Sequence, residues 1–453
     1  MLKLVVCFAD CFDTKSPIAA ELAGRYVGGL LSQTPRKNME RMDERLGVDE
    51  ALGKDAYQAT QNFISASRWS AQSVFARISE RADRQLGGSV DSVLVIDESA
   101  HAKKGGSSVG VGQQYNGRAG KQDNCQVGVY SALNRGSRVA LVGVRLFLPQ
   151  DWVENPGRCR KVGVPEERIA QGHLTKIDHA RELVEEALAN GLQFGCVSMD
   201  ALYGRNAALR KFMAEKGLVY CMDIPSDTRL FTSKPGQDER PKKITTVTQR
   251  ADEVAKSVLL KNKKNGSQTI QLREGDHGSV EAKVTAIRVW TWGETSEEAQ
   301  EEWLIIRAMP DGSTKLSLSN ASATTSLKRL ARWQAGRFWI ERCFQDAKSH
   351  CGMSQYQARG WHAWHHHMAL VALAVLFQME ERLSDPGGIG NLTASDITEM
   401  IEWAIIRKPT EGELLERIER RHQARAQSKT AALRRQRKAR RKSKKSGNHE
   451  AGN

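Results

Sequence analysis

Between residues 91 and 224 the chain alternates β-forming runs and helical segments in an order that few folds accommodate. Four runs come first: Ser92–Asp97, Ser108–Tyr115, Cys125–Tyr130 and Arg138–Leu148, separated by Gly, Asn and Asp turn residues. A helix over Ile177–Asn190 then leads into Gln193–Asp200, another helix over Asn206–Lys216, and a last strand over Leu218–Ile224. Hairpin strands pair antiparallel, whereas strands joined through a helix pair parallel. A chain that does first one and then the other builds a single mixed sheet with helices on it, so the fold class is α/β.

The flanks divide the chain further. Residues 1–88 carry apolar residues at helical spacing in Pro17–Leu31 and Ala56–Leu86, which predicts a helical N-terminal domain, a candidate for DNA binding or for packing on the body. The α/β core takes 89–226 as its first part. Residues 227–316 read as a β-rich insertion with strands in Gln268–Leu272, Ser279–Trp292 and Glu302–Arg307, and 317–385 read as helices completing the core. Residues 386–453 hold a C-terminal helix and a basic tail. The net charge of +15 is concentrated there: Arg417 to Lys445 contain 14 Lys/Arg against Glu419 alone, +13, which leaves the rest of the chain at +2. Such a segment contacts a polyanion without sequence preference, and Arg434, Arg435, Arg437, Lys438, Arg440 and Arg441 are its candidate DNA contacts. The plain alternative is a solvated tail. The eight cysteines form no Cys-x-x-Cys pair and read as reduced thiols of a cytoplasmic protein. The apolar run Met368–Phe377 is too short for a membrane span, and the first ten residues are a poor signal peptide.

Two of the strands end in acids, Asp97 and Asp200, each of which could equally be a turn or capping residue. A third acid, Glu341, lies in Arg337–Lys348, which reads as one helix without Gly or Pro. Arg337, Glu341 and Lys348 are spaced by four and seven residues and so return to one face. This stripe suits a metal-binding acid beside a phosphate backbone; it also suits an ordinary helix-face ion pair. Carboxylates clustered from two strand ends and a helix hold hard divalent ions for phosphoryl transfer, two of them ~3.5–4 Å apart in the two-metal scheme. Lesser candidates are Glu98, which faces away from Asp97 if the strand continues, and Tyr203 and Gly204, which shape the loop after Asp200. His365-His366-His367 invites a metal reading but suits packing or DNA contact better, and Trp290, Trp292 and Trp303 suit either base stacking or a small β core.

The blocks Val95-Ile-Asp97-Glu-Ser, Lys103-Lys-Gly-Gly-Ser-Ser-Val-Gly-Val-Gly-Gln-Gln-Tyr115 and Gly120–Val129, followed by Leu146–Trp152, Asp200-Ala-Leu-Tyr-Gly204, the Glu341 helix, Tyr356-Gln-Ala-Arg359 and Trp361–His367, resemble bacterial DDE insertion-sequence transposases, most closely the insertion-sequence 701 family. The resemblance spans Tyr26 to Leu383. It implies a ribonuclease-H-like catalytic core in which Asp97, Asp200 and Glu341 are the catalytic, metal-binding triad. It further implies two Mg²⁺ ions per site with Mn²⁺ as a substitute. Double-stranded DNA at the element ends and at the target would be the partner, with a homodimer in the synaptic complex, no membrane, and a cytoplasmic, nucleoid-associated bacterial setting. Related transposases carry a Tyr-(2)-Arg-(3)-Glu-(6)-Lys motif; Arg337, Glu341 and Lys348 match it and Gln334 departs from its Tyr. Arg337 and Lys348 are then expected at phosphates of the element end. Three functions compete on residues alone: cleavage and strand transfer, metal-dependent DNA cleavage without transfer, and an inactive DNA-binding remnant.

Overall fold

A computed structural model describes residues 1–12, 18–47, 55–117, 119–236, 248–261, 267–275, 278–292, 298–309, 311–384 and 392–405, with scattered positions from 412 to 434. The N-terminal part is helical: α1 (Leu2–Val6), a 3-10 turn at Ala9–Phe12, α2 (Ala19–Leu31), α3 (Met39–Leu46), α4 (Ala56–Ser65) and α5 (Ala71–Leu86). The expected helix over Ala56–Leu86 is two helices, because Ser70 caps a new start by accepting from the Ser73 amide. In α5, Val74, Ile78, Ala82 and Leu86 recur every fourth residue and form its buried stripe.

Strands β1 (Ser89–Ala102), β2 (Gly112–Asn116), β3 (Lys121–Arg135) and β4 (Arg138–Leu146) follow. Short helices α6 (Gln150–Val153), α7 (Pro156–Lys161) and α8 (Glu166–Ala170) then lead to α9 (Lys176–Ala189). Next come β5 (Phe194–Met199), α10 (Ala201–Gly204), α11 (Ala207–Glu215) and β6 (Tyr220–Asp223). The β1–β3 and β3–β4 pairs are antiparallel, and the β1–β5 and β5–β6 pairs are parallel. The mixed sheet expected from the strand pattern is therefore present, in the order β4-β3-β1-β5-β6, with β2 beside β4 on the outer edge of the long β3. Two differences stand out. Residues 108–111 are turn rather than strand, Gly110 taking a positive φ of 68°. And β1 does not close at Asp97 but runs five residues further, because β3 stays paired with it as far as Cys125.

Beyond β6 come β7 (Arg229–Leu230), β8 (Gln249–Arg250), α12 (Ala251–Lys261), β9 (Gln268–Gly275), β10 (Gly278–Thr291), β11 (Gln300–Ala308) and β12 (Thr314–Ser319). The last four extend the central sheet. β12 pairs antiparallel with β6, and β11, β10 and β9 follow outward. Helix α12 and strand β12 carried no clear pattern in the sequence. One face of this extension has its own core of Val289, Leu304, Ile306, Leu316 and Leu318 against Val254 and Ala255 of α12, while Ile305 faces the main core. Helices α13 (Leu327–Gly336), α14 (Phe338–His350), α15 (Trp361–Ser384) and α16 (Ala394–Ile405) complete the described chain. α13 crosses β1, β5, β6 and the added strands, and α14 continues over β1, β3 and β4. α15 is apolar around most of its circumference and buried from Ala363 to Met379 apart from His365, wedged between α2, α4, α5 and β4. No helix of the described residues is long and apolar enough to cross a membrane.

Candidate active site

The three parallel strands β1, β5 and β6 bring like positions level. Ile96 lies beside Met199, and Met199 beside Met222. The next residue on each chain is an acid: Asp97, Asp200 and Asp223. Side chains level with one another on neighbouring strands share a face, so three carboxylates stand in a row at the C-terminal ends of the β5 and β6 pairing. Ligands of open α/β sheets gather at that edge. Asp97 is held by its place in β1 and accepts from the Glu98 amide at 2.8 Å. Asp200 caps α10, accepting from the Leu202 amide at 2.8 Å, so the ordinary capping role is also present. Asp223 accepts from the Ser317 hydroxyl at 2.5 Å. Asp223 was missed by the sequence reading, although its strand shows the same signal as the other two, an apolar run closing on an acid.

Helix α14 brings the fourth carboxylate. Arg337 is not inside that helix, as the sequence suggested, but at the joint between α13 and α14, in helical conformation (φ −58°, ψ −31°). From there its Nη1 lies 3.2 Å from Asp97 Oδ2 and 2.8 Å from Glu341 Oε1, while its Nε donates to Asp223 Oδ2 at 3.3 Å. One guanidinium thus ties the acid row to Glu341. Gln334 sits one turn before it, fully buried, and donates to the Ser317 hydroxyl at 2.7 Å, the same hydroxyl that serves Asp223.

Burial raises the pKa of Asp97 to about 7, with Arg337 pulling it back and Asp200 and Glu341 pushing it further up. Burial also raises that of Asp200, again against Arg337. For Arg337 burial works against the charge, but Asp223, Asp97, Glu341 and Asp200 outweigh it and the pKa is raised. The donor set is all hard carboxylate oxygen, the chemistry that suits Mg²⁺ or Mn²⁺. In this conformation the guanidinium stands between Asp97 and Glu341. Among the described residues no three His, Cys, Asp or Glu side chains are drawn close enough to share one ion. Asp97, Asp200 and Glu341 offer the oxygen donors that a divalent ion takes, but in this conformation they do not surround one position.

Residues 7–279 match the family model described as DDE superfamily endonuclease, more than half of the chain. The chain belongs to the DDE superfamily endonucleases. The match includes Asp97, Asp200 and Asp223 and stops before Glu341. A curated relative from Microchaete diplosiphon, "Probable transposase for insertion sequence element IS701", is 27% identical over 180 residues, 39% of this chain; the chain spans only 41% of that relative's length.

The other expected residues of this DDE endonuclease fall as follows. Lys348 does not reach Glu341; its Nζ donates to the Ala100 carbonyl of β1 at 3.3 Å. Seven residues of helix separate the two, roughly 10 Å of rise, so a shared stripe did not mean a shared contact. Glu98 pairs with Lys176 at 2.7 Å and accepts from Tyr203 Oη at 3.3 Å, which ties α10 to β1. His366 and His367 are core residues: His366 meets the Ile64 and Trp69 carbonyls at 2.9 and 2.7 Å, and His367 meets Tyr26 Oη at 2.8 Å. His365 turns to the Trp361 carbonyl at 2.9 Å. Trp303 donates to the Ser322 carbonyl at 3.1 Å, and Trp290 pairs with Phe231. All eight cysteines are free thiols. Arg434 is helical and exposed, and Arg435, Arg437, Lys438, Arg440 and Arg441 lie outside the described residues.

Proposed function

We propose that the chain is a DDE transposase that cuts DNA at the ends of its insertion sequence and joins the freed ends to target DNA. The observation that carries this is the alignment of Asp97 and Asp200 on adjacent strands with Glu341 tied to the same row through Arg337. The strand order β4-β3-β1-β5-β6, three antiparallel and then parallel, supports a ribonuclease-H-like core made of residues 89–226 and 317–385. On this reading 1–88 form a helical DNA-binding domain, 227–316 an insertion ahead of the catalytic helix, and 386–453 a helix and basic tail.

Asp97, Asp200 and Glu341 would hold two Mg²⁺ or Mn²⁺ ions, which when bound stabilise the attacking and leaving oxygens of an in-line displacement. The acids themselves attack nothing: water is the nucleophile in cleavage and a DNA 3′ hydroxyl in joining. Arg337, released from the carboxylates, is placed to hold a phosphate through two donors, with Lys348 as a point charge further along α14. Double-stranded DNA is the partner, and two copies of the chain would pair two element ends.

The test uses DNA carrying the element's terminal repeats with Mg²⁺. The wild type is expected to give both nicked and joined products. Asp97→Asn, Asp200→Asn and Glu341→Gln are each expected to abolish both while DNA binding persists. Cutting at the wild-type rate by any one variant removes that residue from the triad, and nicks without joined products favour a nuclease.

A further inference from the structure

The strands that extend the sheet carry two cations to the acid row. Ser317 of β12 pairs with Asp223 and lies on its face, as its hydroxyl contact shows. Ser317 also pairs with Ile305 of β11. Two residues nearer the C-terminal edge of the row, Lys315 pairs with Arg307. Side chains two apart along a strand share a face, so Arg307 and Lys315 both stand on the face of Asp223. They lie roughly 6–7 Å beyond its level and about one and two strand spacings to the side.

Two features of this pair have no internal explanation. Like charges directly opposite one another across an antiparallel pair destabilise the sheet. Yet neither side chain enters a salt bridge among the described residues. And the Arg307 guanidinium is partly buried with its Nε unpartnered among the described residues, a costly state for a donor. Burial presses the Arg307 pKa down, Asp223 and Cys221 oppose this, and Arg337 adds to it, so Arg307 stands within the field of the site. Lys315 is exposed to solvent beside it. An anion held between the two would satisfy the free donor and reverse the repulsion. Breaches of local rules of this kind collect at functional sites.

We propose that Arg307 and Lys315 form a binding site for a DNA backbone phosphate next to the reacting one, supplied by β11 and β12 rather than by the catalytic helix. The site rests on the transposase reading for its ligand. Arginine offers the phosphate two parallel donors and lysine a mobile charge.

The experiment measures binding of terminal-repeat duplex by fluorescence anisotropy over a range of salt, in Ca²⁺, for the wild type, Arg307→Gln/Lys315→Gln and the charge-keeping Arg307→Lys/Lys315→Arg. Each phosphate contact adds about 0.9 to the log–log salt slope, so the Gln pair, which gives up one phosphate, should lower the slope by about 0.9. Its melting temperature should stay level or rise, since a repulsion is removed, and the charge-keeping pair should restore the slope. If the Gln pair fails to fold, Lys315→Gln alone, at an exposed position, should lower the slope in the same direction by less than about 0.9. An unchanged slope overturns the site, as does a wild type that binds no DNA. A wild type that binds but neither cuts nor joins in Mg²⁺ defeats the transposase reading instead, and the slopes still judge Arg307 and Lys315.

Discussion

One guanidinium decides the charge of the acid cluster. Four carboxylates from β1, β5, β6 and α14 converge where burial already presses the Asp97 pKa up to about 7. Arg337 answers three of them directly. Breaking a buried pair by removing one partner costs roughly 3–5 kcal/mol. Glu341 is half exposed, which lowers the expected loss for Arg337→Ala to about 2–3 kcal/mol. Because the acids it leaves behind attract any cation, Mn²⁺ should raise the melting temperature of Arg337→Ala more than that of the wild type, although cleavage falls. A metal-induced shift equal in the two proteins would mean that Arg337 and the ion do not share these carboxylates. The sequence disclosed the ion pair with Glu341 through its four-residue spacing. It could not disclose the contacts to Asp97 and Asp223, which are 240 and 114 residues away along the chain.

At the scale of elements, the turn after Asp200 is locked by neighbours remote in sequence. The Arg210 side chain, itself buried, donates to the Gly204 carbonyl at 2.5 Å and pairs with Glu302 of β11 at 3.1 Å. Glu302 also accepts from Tyr220 Oη at 2.5 Å. Strand β11, part of the extension, thus braces the loop that aims Asp200. Gly204 is packed so tightly on β6 that a Cβ there would lie 1.9 Å from the Asp223 carbonyl oxygen. Backbone cannot yield as a flexible side chain does, so Gly204→Ala must lift α10 away from β6. Overpacking of this kind costs about 1–3 kcal/mol. The displaced turn should weaken cleavage more than DNA binding; full cleavage by Gly204→Ala would show that Asp200 is aimed independently of that packing. The order of strands and helices in 91–224 was legible because turn residues and apolar periodicity are local signals. That β12 reunites the extension with β6 was not, since pairing across 94 residues leaves no mark in either segment.

At the scale of the whole molecule, the N-terminal helices are bound to the body by α5, which packs directly on β3 and β4, and by the long helix α15 and the end of α14. Lys37, buried, donates to the carbonyls of Leu30 and His350, and Tyr26 meets His367 in the second turn of α15. The unbroken apolar run of α15 marked it as a core helix; its histidines suited packing or DNA contact, and His366 and His367 pack, although which helices they would join was invisible. Their burial has a consequence for acid stability. His367 is fully buried, and burial, reinforced by Lys103, lowers its pKa to about 3. Its unfolded value is about 6.5, so the unfolded chain takes up the proton first as pH falls. Its neutral form therefore contributes stability that is fully present above pH of about 6.5 and is lost towards acid, by up to about 1.4 kcal/mol per pH unit. Asp97 bends the curve the other way. Its folded pKa is raised, so the folded state holds its proton more tightly and gains stability as pH falls through about 7. The two partly cancel in the wild type, and only a variant separates them. His367→Gln keeps a hydrogen-bonding group for Tyr26 and cannot take up a proton. Urea unfolding between pH of about 4 and 7 should show an acid limb shallower than that of the wild type by close to one proton, about 1.4 kcal/mol per pH unit. A limb as steep as the wild type's would mean that His367 is already protonated in the folded protein, with the hydroxyl of Tyr26 and nearby carbonyls carrying the charge.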